Sequence, residues 1–350
     1  MTSRERVNAA VRRQPVDRVP CEMGFTPAIA RLVQDKLGRN TDPAVHFGWD
    51  TRGVGFRGPR DPQDFAAYYH GVKGVYWDHD YGTGEVPGDF HHFARKVYPL
   101  RDVQSISGLE EYPWPDFTPA YRHSHLEGEV AYYQDQGYHV SGWVGHIWET
   151  TWQILGFERT FADLLLRPEI PLWVLNKICE NNCFKARRYA EAGVDMLRIG
   201  DDVGMQDRLM MQPGLWRRYL KPVLAREIAA AREVRPDIPV WFHSDGNILA
   251  IIDDLIEVGV TVLNPVQPEC LDFKLLARRY GEQLSFWGGI GTQTTMPWGS
   301  PADVKAAVKD TIETFAPGLV LAPTHVLEPE VPWENIVAFH EAIAEYGVFG

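Results

Sequence analysis

A histidine and an aspartate two residues apart, His243-Ser244-Asp245, close an apolar run at 240–243, so both side chains can aim into one opening. With His325 they form a candidate divalent-metal site, leaving a position for water or substrate and allowing Glu149 or Gln267 as a further ligand. The same Asp245 could instead cap a helix opening at Gly246-Asn247, leaving His243 as a hydrogen-bonded polar residue. Asp201-Asp202 close a second run. One of the pair is expected to cap a helix and the other to face the opening, where paired acids raise one another's pKa and suit acid–base work. Gly288-Gly289 with Gly291 can admit a close backbone approach or make a tight turn. The sequence holds no P-loop, nucleophile elbow or Ser/His/Asp order.

The elements that must position these residues alternate. Strand-like runs lie at 19–25, 45–56, 139–144, 196–200, 240–243, 260–264, 284–288 and 319–322. Helical patterns fall at 2–13, 169–192, 213–234 (with Pro222 a kink or break), 248–258, 273–280, 301–315 and 333–346. Such alternation predicts an α/β fold, a (β/α)8 TIM barrel in a single domain over 1–350. An open doubly wound sheet would want a Gly-rich dinucleotide turn after the first strand, and none is present. Residues 57–137 read as an insertion after the second strand, holding short strands or a lid, with His91 and His92 among its surface or lid residues.

Barrel chemistry sits at the C-terminal strand ends. Read in order, these offer Glu22, then Asp50 and Arg52, then Trp148 and Glu149. Asp201, Asp202 and Gln206 follow, then His243 and Asp245, Asn264 and Gln267, Trp287, and His325. Almost every end carries a carboxylate, an imidazole or a carboxamide.

The 350 residues carry 35 Lys+Arg against 47 Asp+Glu, a net charge of −12, which argues against a nucleic-acid partner. Twelve Trp, 14 Tyr and 16 Phe exclude a disordered chain. Four cysteines without a C-x-x-C pair, no apolar leader and no membrane-length apolar run lead us to expect a reduced, soluble, cytoplasmic protein.

The chain resembles the uroporphyrinogen decarboxylase superfamily, TIM barrels that include corrinoid-dependent methyltransferases. The resemblance rests on Arg4-Glu5-Arg6-Val7-Asn8-Ala9-Ala10, Pro15-Val16-Asp17-Arg18-Val19-Pro20 and Glu191-Ala192-Gly193-Val194-Asp195 leading to Gly200-Asp201-Asp202. Asn264-Pro265-Val266-Gln267, Gly288-Gly289-Ile290 and Val331-Pro332-Trp333-Glu334-Asn335-Ile336 complete it. Decarboxylases of this kind carry an arginine-rich string after the first strand. Here that stretch reads Cys21-Glu22-Met23-Gly24-Phe25-Thr26-Pro27, without arginine, and the mouth is expected to collect Glu22, Asp50, Glu149, Asp201, Asp202 and Asp245, a field that repels a polycarboxylate.

The superfamily's thiol methyltransferases bind zinc through His-x-Cys and a later Cys. By that resemblance His243 stands at the first ligand, Asp245 at the second and His325 at the third. The resemblance therefore implies a methyltransferase or O-demethylase acting on a small polar substrate. It implies a divalent metal, zinc first, a corrinoid carried by a partner protein, and a homodimer. Asp202 or Asp50 would be the acid–base, with Asp201 and His325 beside them. Trp148, Glu149, Gln206, Asn264, Gln267, Trp287 and Arg52 would bind substrate. A cofactor-free decarboxylase or lyase on a small acid is the alternative, and a non-catalytic ligand-binding barrel a further one.

Overall fold

Apolar runs and amphipathic helices wind into a curled parallel sheet in the computed structural model, which describes residues 1–87 and 94–349. The strands in chain order are β1 (Thr51–Val54), β2 (Tyr76–Trp77), β3 (Gly84–Val86), β4 (Arg95–Val97) and β5 (His139–Gly145). They continue with β6 (Met196–Gly200), β7 (Val240–His243), β8 (Val262–Asn264), β9 (Ser285–Ile290) and β10 (Leu319–Pro323). Seven of them form one parallel sheet in the order β1-β5-β6-β7-β8-β9-β10.

The run at 19–25, expected as a full strand, is instead a bridge between the two sheet edges. Leu321 N–H donates to the Pro20 carbonyl at 2.8 Å on one side, and Asp50 N–H donates to the Cys21 carbonyl at 3.0 Å on the other. Pro20 has no N–H to give, which helps limit the pairing to isolated bridges at Cys21–Leu321 and Phe25–Leu327. The circuit is nonetheless closed, and the fold is a TIM barrel.

Two apolar clusters follow from the period-2 alternation of strand side chains. Outward-facing residues pack under the helices. Inward-facing Met196, Trp241, Val262, Trp287, Val320 and Ala322 form a separate cluster with Val7, Ala10 and Val11 of the Ser3–Val11 helix. That helix stoppers the N-terminal end of the barrel: the Ser285 hydroxyl, at the start of β9, lies 3.1 and 2.9 Å from the Ala10 and Val11 carbonyls. A Thr2/Glu5 capping box starts it. Burying each of its two valines stabilises the fold by about 1.5–3 kcal/mol.

The expected strand over 45–56 divides into a helix, Pro43–His46, and β1. Asp42 caps that helix by accepting from Ala44 N–H at 2.8 Å, and Gly48 (φ 65°) turns the chain out of it. The 57–137 insertion does hold short strands, the antiparallel sheet β2-β3-β4. It also holds helices Ile106–Glu110 and Leu126–Asp135, the second being the crossover from β1 to β5. Its two histidines His91 and His92 lie outside the described residues. Helices Glu169–Ala192, Phe273–Tyr280, Pro301–Phe315 and Trp333–Tyr346 stand at their expected bounds, and Pro222 falls at a break between Pro213–Tyr219 and Lys221–Arg232. The glycine pair after Trp287 admits neighbouring backbone: Gly289 N–H donates to the Pro265 carbonyl at 3.0 Å, and a Cβ on Gly288 would strike that oxygen at 2.0 Å.

Candidate functional site

His243 ends β7 in register with Gly200 of β6 on one side and Asn264 of β8 on the other. Asn264 donates through Nδ2 to the Trp287 carbonyl at 2.9 Å, so its Oδ1 is the atom left facing His243 Nδ1 at 2.6 Å. A carbonyl oxygen only accepts, and this fixes both the amide orientation and the imidazole tautomer. Nδ1 therefore carries a proton, and Nε2 points away from Asn264.

Nε2 meets two carboxylates. Asp202, two residues beyond the end of β6, places Oδ1 at 3.6 Å, and Asp245 places Oδ1 at 4.0 Å. One ligand atom from each of Asp202, His243 and Asp245 lies within 4.8 Å of the others. The Asp202 carboxylate also accepts from Asp245 N–H at 2.8 Å, which ties the two loops together. Asp245 Oδ1 is buried without a hydrogen-bond partner, and burial, then the facing Asp202, pushes its carboxyl above the usual range. One imidazole nitrogen and two carboxylates, one of them orphaned, fit a borderline divalent cation such as zinc or manganese.

The third member of the cluster is therefore Asp202, whereas the sequence pointed to His325. His325 lies on the wall of the same cavity, with Nδ1 at 3.4 Å from the Val326 carbonyl, and its charge acts on Asp245. Asp245 does not cap the following helix either: Asn247 Oδ1 accepts from Leu249 N–H at 3.2 Å in that place.

Asp201 does cap, but on the neighbouring unit. Its carboxylate accepts from the backbone N–H groups of Ile147, Trp148 and Glu149 at 3.2, 2.9 and 3.0 Å, at the start of the Trp148–Leu155 helix. Burial pushes its carboxyl up to about 7 against the pull of those amides. The same helix turns Glu149 into the mouth. Burial, then the negative Asp202, pushes that carboxyl up to about 7 as well, with His146 Nδ1 at 3.3 Å.

The mouth is a cavity of about 820 Å³ whose walls include Glu149, Asp202, Asp245, Gln267 and His325. Glu85 and Lys96 of the small antiparallel sheet also line it. Gln267 is buried and accepts from Gly246 N–H at 2.5 Å. A smaller chamber of about 340 Å³ runs from His243, Asn264 and His325 down to Trp241 and an Arg198–Glu22 pair. Arg198 grips Glu22 at 3.0 and 2.8 Å, and Thr51 and Trp287 Nε1 donate to the same carboxylate at 2.5 and 2.9 Å. Beside it a third chamber, about 460 Å³, is walled by Trp143 and Trp241.

Several expected residues stand elsewhere. Asp50 precedes β1, so it lies at the opposite end of the barrel from the mouth. It is fully buried and held by Arg6 at 2.7 Å and Arg18 at 2.9 Å. Trp148 is fully buried against Phe161 at 5.0 Å, outside the lumen. Trp287 sits in the lumen below the chambers. Gln206 is exposed at the rim, donating to the Glu269 carbonyl at 3.2 Å. Arg52 lines the third chamber, with its guanidinium 3.7 Å over the Tyr138 ring and Nη1 on the Thr51 carbonyl.

The aromatic wall itself went unseen in the sequence. Trp241 stacks on His243 at 5.6 Å and 13°, and Trp143 stands on Trp241 at 6.1 Å and 78°. Period 2 was the available signal, since Trp241 lies two residues before His243 and must share its face. The acidic field is weaker than the composition implies. Glu22 is neutralised by Arg198, Asp50 is at the other end, and Asp201 is spent on backbone amides.

Residues 130–346 match the family described as uroporphyrinogen decarboxylase (URO-D). A methyltransferase from Methanosarcina mazei has a similar structure, with 19% sequence identity, 99% of each chain covered and a TM-score of 0.68. A B12-independent methionine synthase from Shewanella sp. W3-18-1 is 11% identical over 94% of this chain and 92% of that one, with a TM-score of 0.47. No curated protein matches the chain. The family match spans more than half of the 350 residues and takes in β5 to β10 with all three members of the His243 cluster, so the chain belongs to the uroporphyrinogen decarboxylase family.

Proposed function

We propose that this chain is a methyltransferase of its family. It would move a methyl group from oxygen or nitrogen of a small polar substrate to a corrinoid carried by a partner protein. The observation that carries the reading is the placing of His243 Nε2 between the carboxylates of Asp202 and Asp245, the latter with Oδ1 buried and without a hydrogen-bond partner. A divalent metal held by these three residues would supply Lewis acidity to the substrate heteroatom. Asn264 holds the imidazole in register, and Asp202 holds Asp245 through its backbone amide. Glu149, its carboxyl pushed up to about 7 by burial and the facing Asp202, would give a proton to the heteroatom as the carbon–heteroatom bond breaks and its bonding electrons stay on the heteroatom. Trp143 and Trp241 take the apolar part of the substrate.

Cofactor-free decarboxylation is the second reading, and the raised Glu149 carboxyl favours it as a proton donor to carbon. It needs a cation for the substrate carboxylate, and Arg198 and Arg52 are already engaged by Glu22 and by the Thr51 carbonyl and Tyr138 ring.

The deciding experiment is metal analysis of protein purified without a His tag, joined to a screen for methyl transfer to reduced free cobalamin. Near-stoichiometric metal and chelator-sensitive transfer are expected. Less than about 0.1 metal per chain, with chelators without effect on ligand binding, would overturn the metal-assisted version.

A further inference from the structure

The lumen of a parallel barrel is normally packed solid by layers of bulky side chains. One layer of this barrel is hollow on one side. The strand register sets Trp143 of β5, Arg198 of β6 and Trp241 of β7 in one row. Beside them β1 offers Gly53, paired with Ser141 of β5. Gly53 is exposed in mid-strand, and a Cβ there would meet nothing nearer than the Ser141 carbonyl at 4.0 Å. A glycine in the body of a strand gives up side-chain packing and marks a place where something else approaches the backbone. The space it leaves is the chamber of about 460 Å³, a volume usual for a small-molecule pocket.

Its walls describe the occupant. Trp49, Trp143 and Trp241 share them with Met23, Ala44 and Val54. Trp143 is 40% exposed and stands at 78° to Trp241, so a flat ring laid on one indole meets the other edge-on. Stacked and edge-on contacts are the two that aromatic rings prefer. The charged wall residues are Arg52 and Arg198 against Glu22, a net positive set that disfavours a methylated ammonium. Both guanidiniums are already engaged, by Glu22 and by the Thr51 carbonyl and the Tyr138 ring, which disfavours a carboxylate as the anchor. A neutral aromatic ring fits both the shape and the charge. The chamber also leads to the candidate metal site, because Glu22, Met23, Arg198 and Trp241 wall both it and the chamber that His243 lines.

We propose, resting on the methyltransferase reading, that this hollow layer seats the aromatic ring of an aryl methyl ether and that Gly53 sets this specificity by leaving the space empty. The ether oxygen is directed from the ring towards His243. The bond between methyl carbon and oxygen breaks, and its electron pair stays on the oxygen, which takes the Glu149 proton and leaves as a phenol. The methyl carbon is taken up by the electron pair of the reduced corrinoid that the partner carries. A phenol, like the tyrosine side chain, ionises near about 10, so its oxygen leaves far more readily than an alkoxide.

The test compares 2-methoxyphenol with 2-methoxyethanol, which carries the same hydroxyl and methyl ether without the ring. Binding of each to the full chain is measured by calorimetry, with zinc and in chelator. The ring compound is expected to bind about tenfold tighter or more in both conditions. Gly53→Leu, whose side chain enters the chamber, is expected to remove that preference while still unfolding cooperatively. Should Gly53→Leu not fold, Gly53→Ala replaces it, with a loss of about threefold expected. Equal affinity for the two ethers, or an unchanged ring preference in the folded variant, would overturn the proposal. Methyl transfer to reduced cobalamin is followed separately. Ring binding without transfer from either ether counts against the methyltransferase reading and leaves the ring subsite standing, whereas transfer from both ethers at equal efficiency overturns the subsite and leaves that reading.

Discussion

Asn264 accepts the Nδ1 proton of His243 at 2.6 Å, and Nε2 consequently faces Asp202 and Asp245. The relation is directional because Asn264 is itself oriented by the Trp287 carbonyl. An outer partner of this kind fixes the donor nitrogen of a ligand and raises its basicity, and its loss typically weakens metal binding ten- to a hundredfold. Asn264→Ala should therefore weaken zinc or manganese binding by about that factor, while His243→Ala abolishes it. Calorimetric titration of chelator-treated protein measures both. Equal affinity in Asn264→Ala and the parent would show that the hydrogen bond does not orient a ligand.

Asp202 and Asp245 are like charges that face one another, tied by the bond from Asp245 N–H to the Asp202 carboxylate. Removing one charge should stabilise the metal-free protein, since like-charge repulsion is relieved while the backbone amide retains the shape. The same change should cost metal affinity. Asp245→Asn is thus predicted to raise Tm in chelator and to lose the Tm increase that metal gives the parent. A fall in metal-free Tm would contradict the repulsion argument.

Acid should weaken the fold through His139. This imidazole is fully buried in the lumen with neither nitrogen partnered, and desolvation lowers its pKa from 6.5 to about 4. The unfolded chain then binds the proton more readily than the folded one. Stability is full above about pH 6.5 and falls as the pH drops from there towards 4, by about 3 kcal/mol in all. His340, lowered to about 3 by burial, acts in the same direction. Chemical denaturation across pH 4–7 should show a shallower acid limb for His139→Gln than for the parent; parallel limbs would rule His139 out as the source.

The Arg198–Glu22 pair is the floor of the chambers, and each side chain keeps about a fifth of its surface accessible, at 19% and 21%. Arg198→Met leaves Glu22 with Thr51 and Trp287 but no countercharge. Destabilisation of about 2–3 kcal/mol is expected, below the value for a fully buried pair because solvent reaches the chamber. Adding Glu22→Gln should recover most of it. A double-mutant cycle by urea unfolding checks this, and strictly additive effects would mean that the pair is not coupled.

Much of the barrel could be read from the sequence, because continuous apolar runs with polar ends define buried parallel strands; β6 and β7 lie at their expected bounds. The failures are rotational. Trp148 and Glu149 both follow β5, but a helix turns about 100° per residue, sending Glu149 to the cavity and Trp148 to the core. Asp50 was placed by a run that continued through it, whereas β1 starts at Thr51 and leaves Asp50 at the wrong end. Asp202 was passed over as a metal ligand because its closeness to His243 comes from the β6–β7 register, a neighbour relation that chain order does not display. Spacing within one strand was legible, and geometry between strands required the fold.

Trp143 offers the sharpest separation of binding from stability. It is 40% exposed, stands edge-on to Trp241 and lines the chamber next to His243. A side chain so open contributes little to folding, and Trp143→Ala should cost about 1 kcal/mol or less. An aromatic contact to a ligand is worth about 0.5–1.5 kcal/mol, so the same variant should raise KM for a methylated substrate about two- to tenfold, with kcat little changed. Trp241→Ala is the contrasting case: at 6% exposed it packs within the lumen and should lower stability by about 3 kcal/mol as well as binding. If Trp143→Ala lowers kcat and leaves KM alone, the indole acts on the reacting centre through His146, 5.0 Å away, rather than as a wall for the substrate.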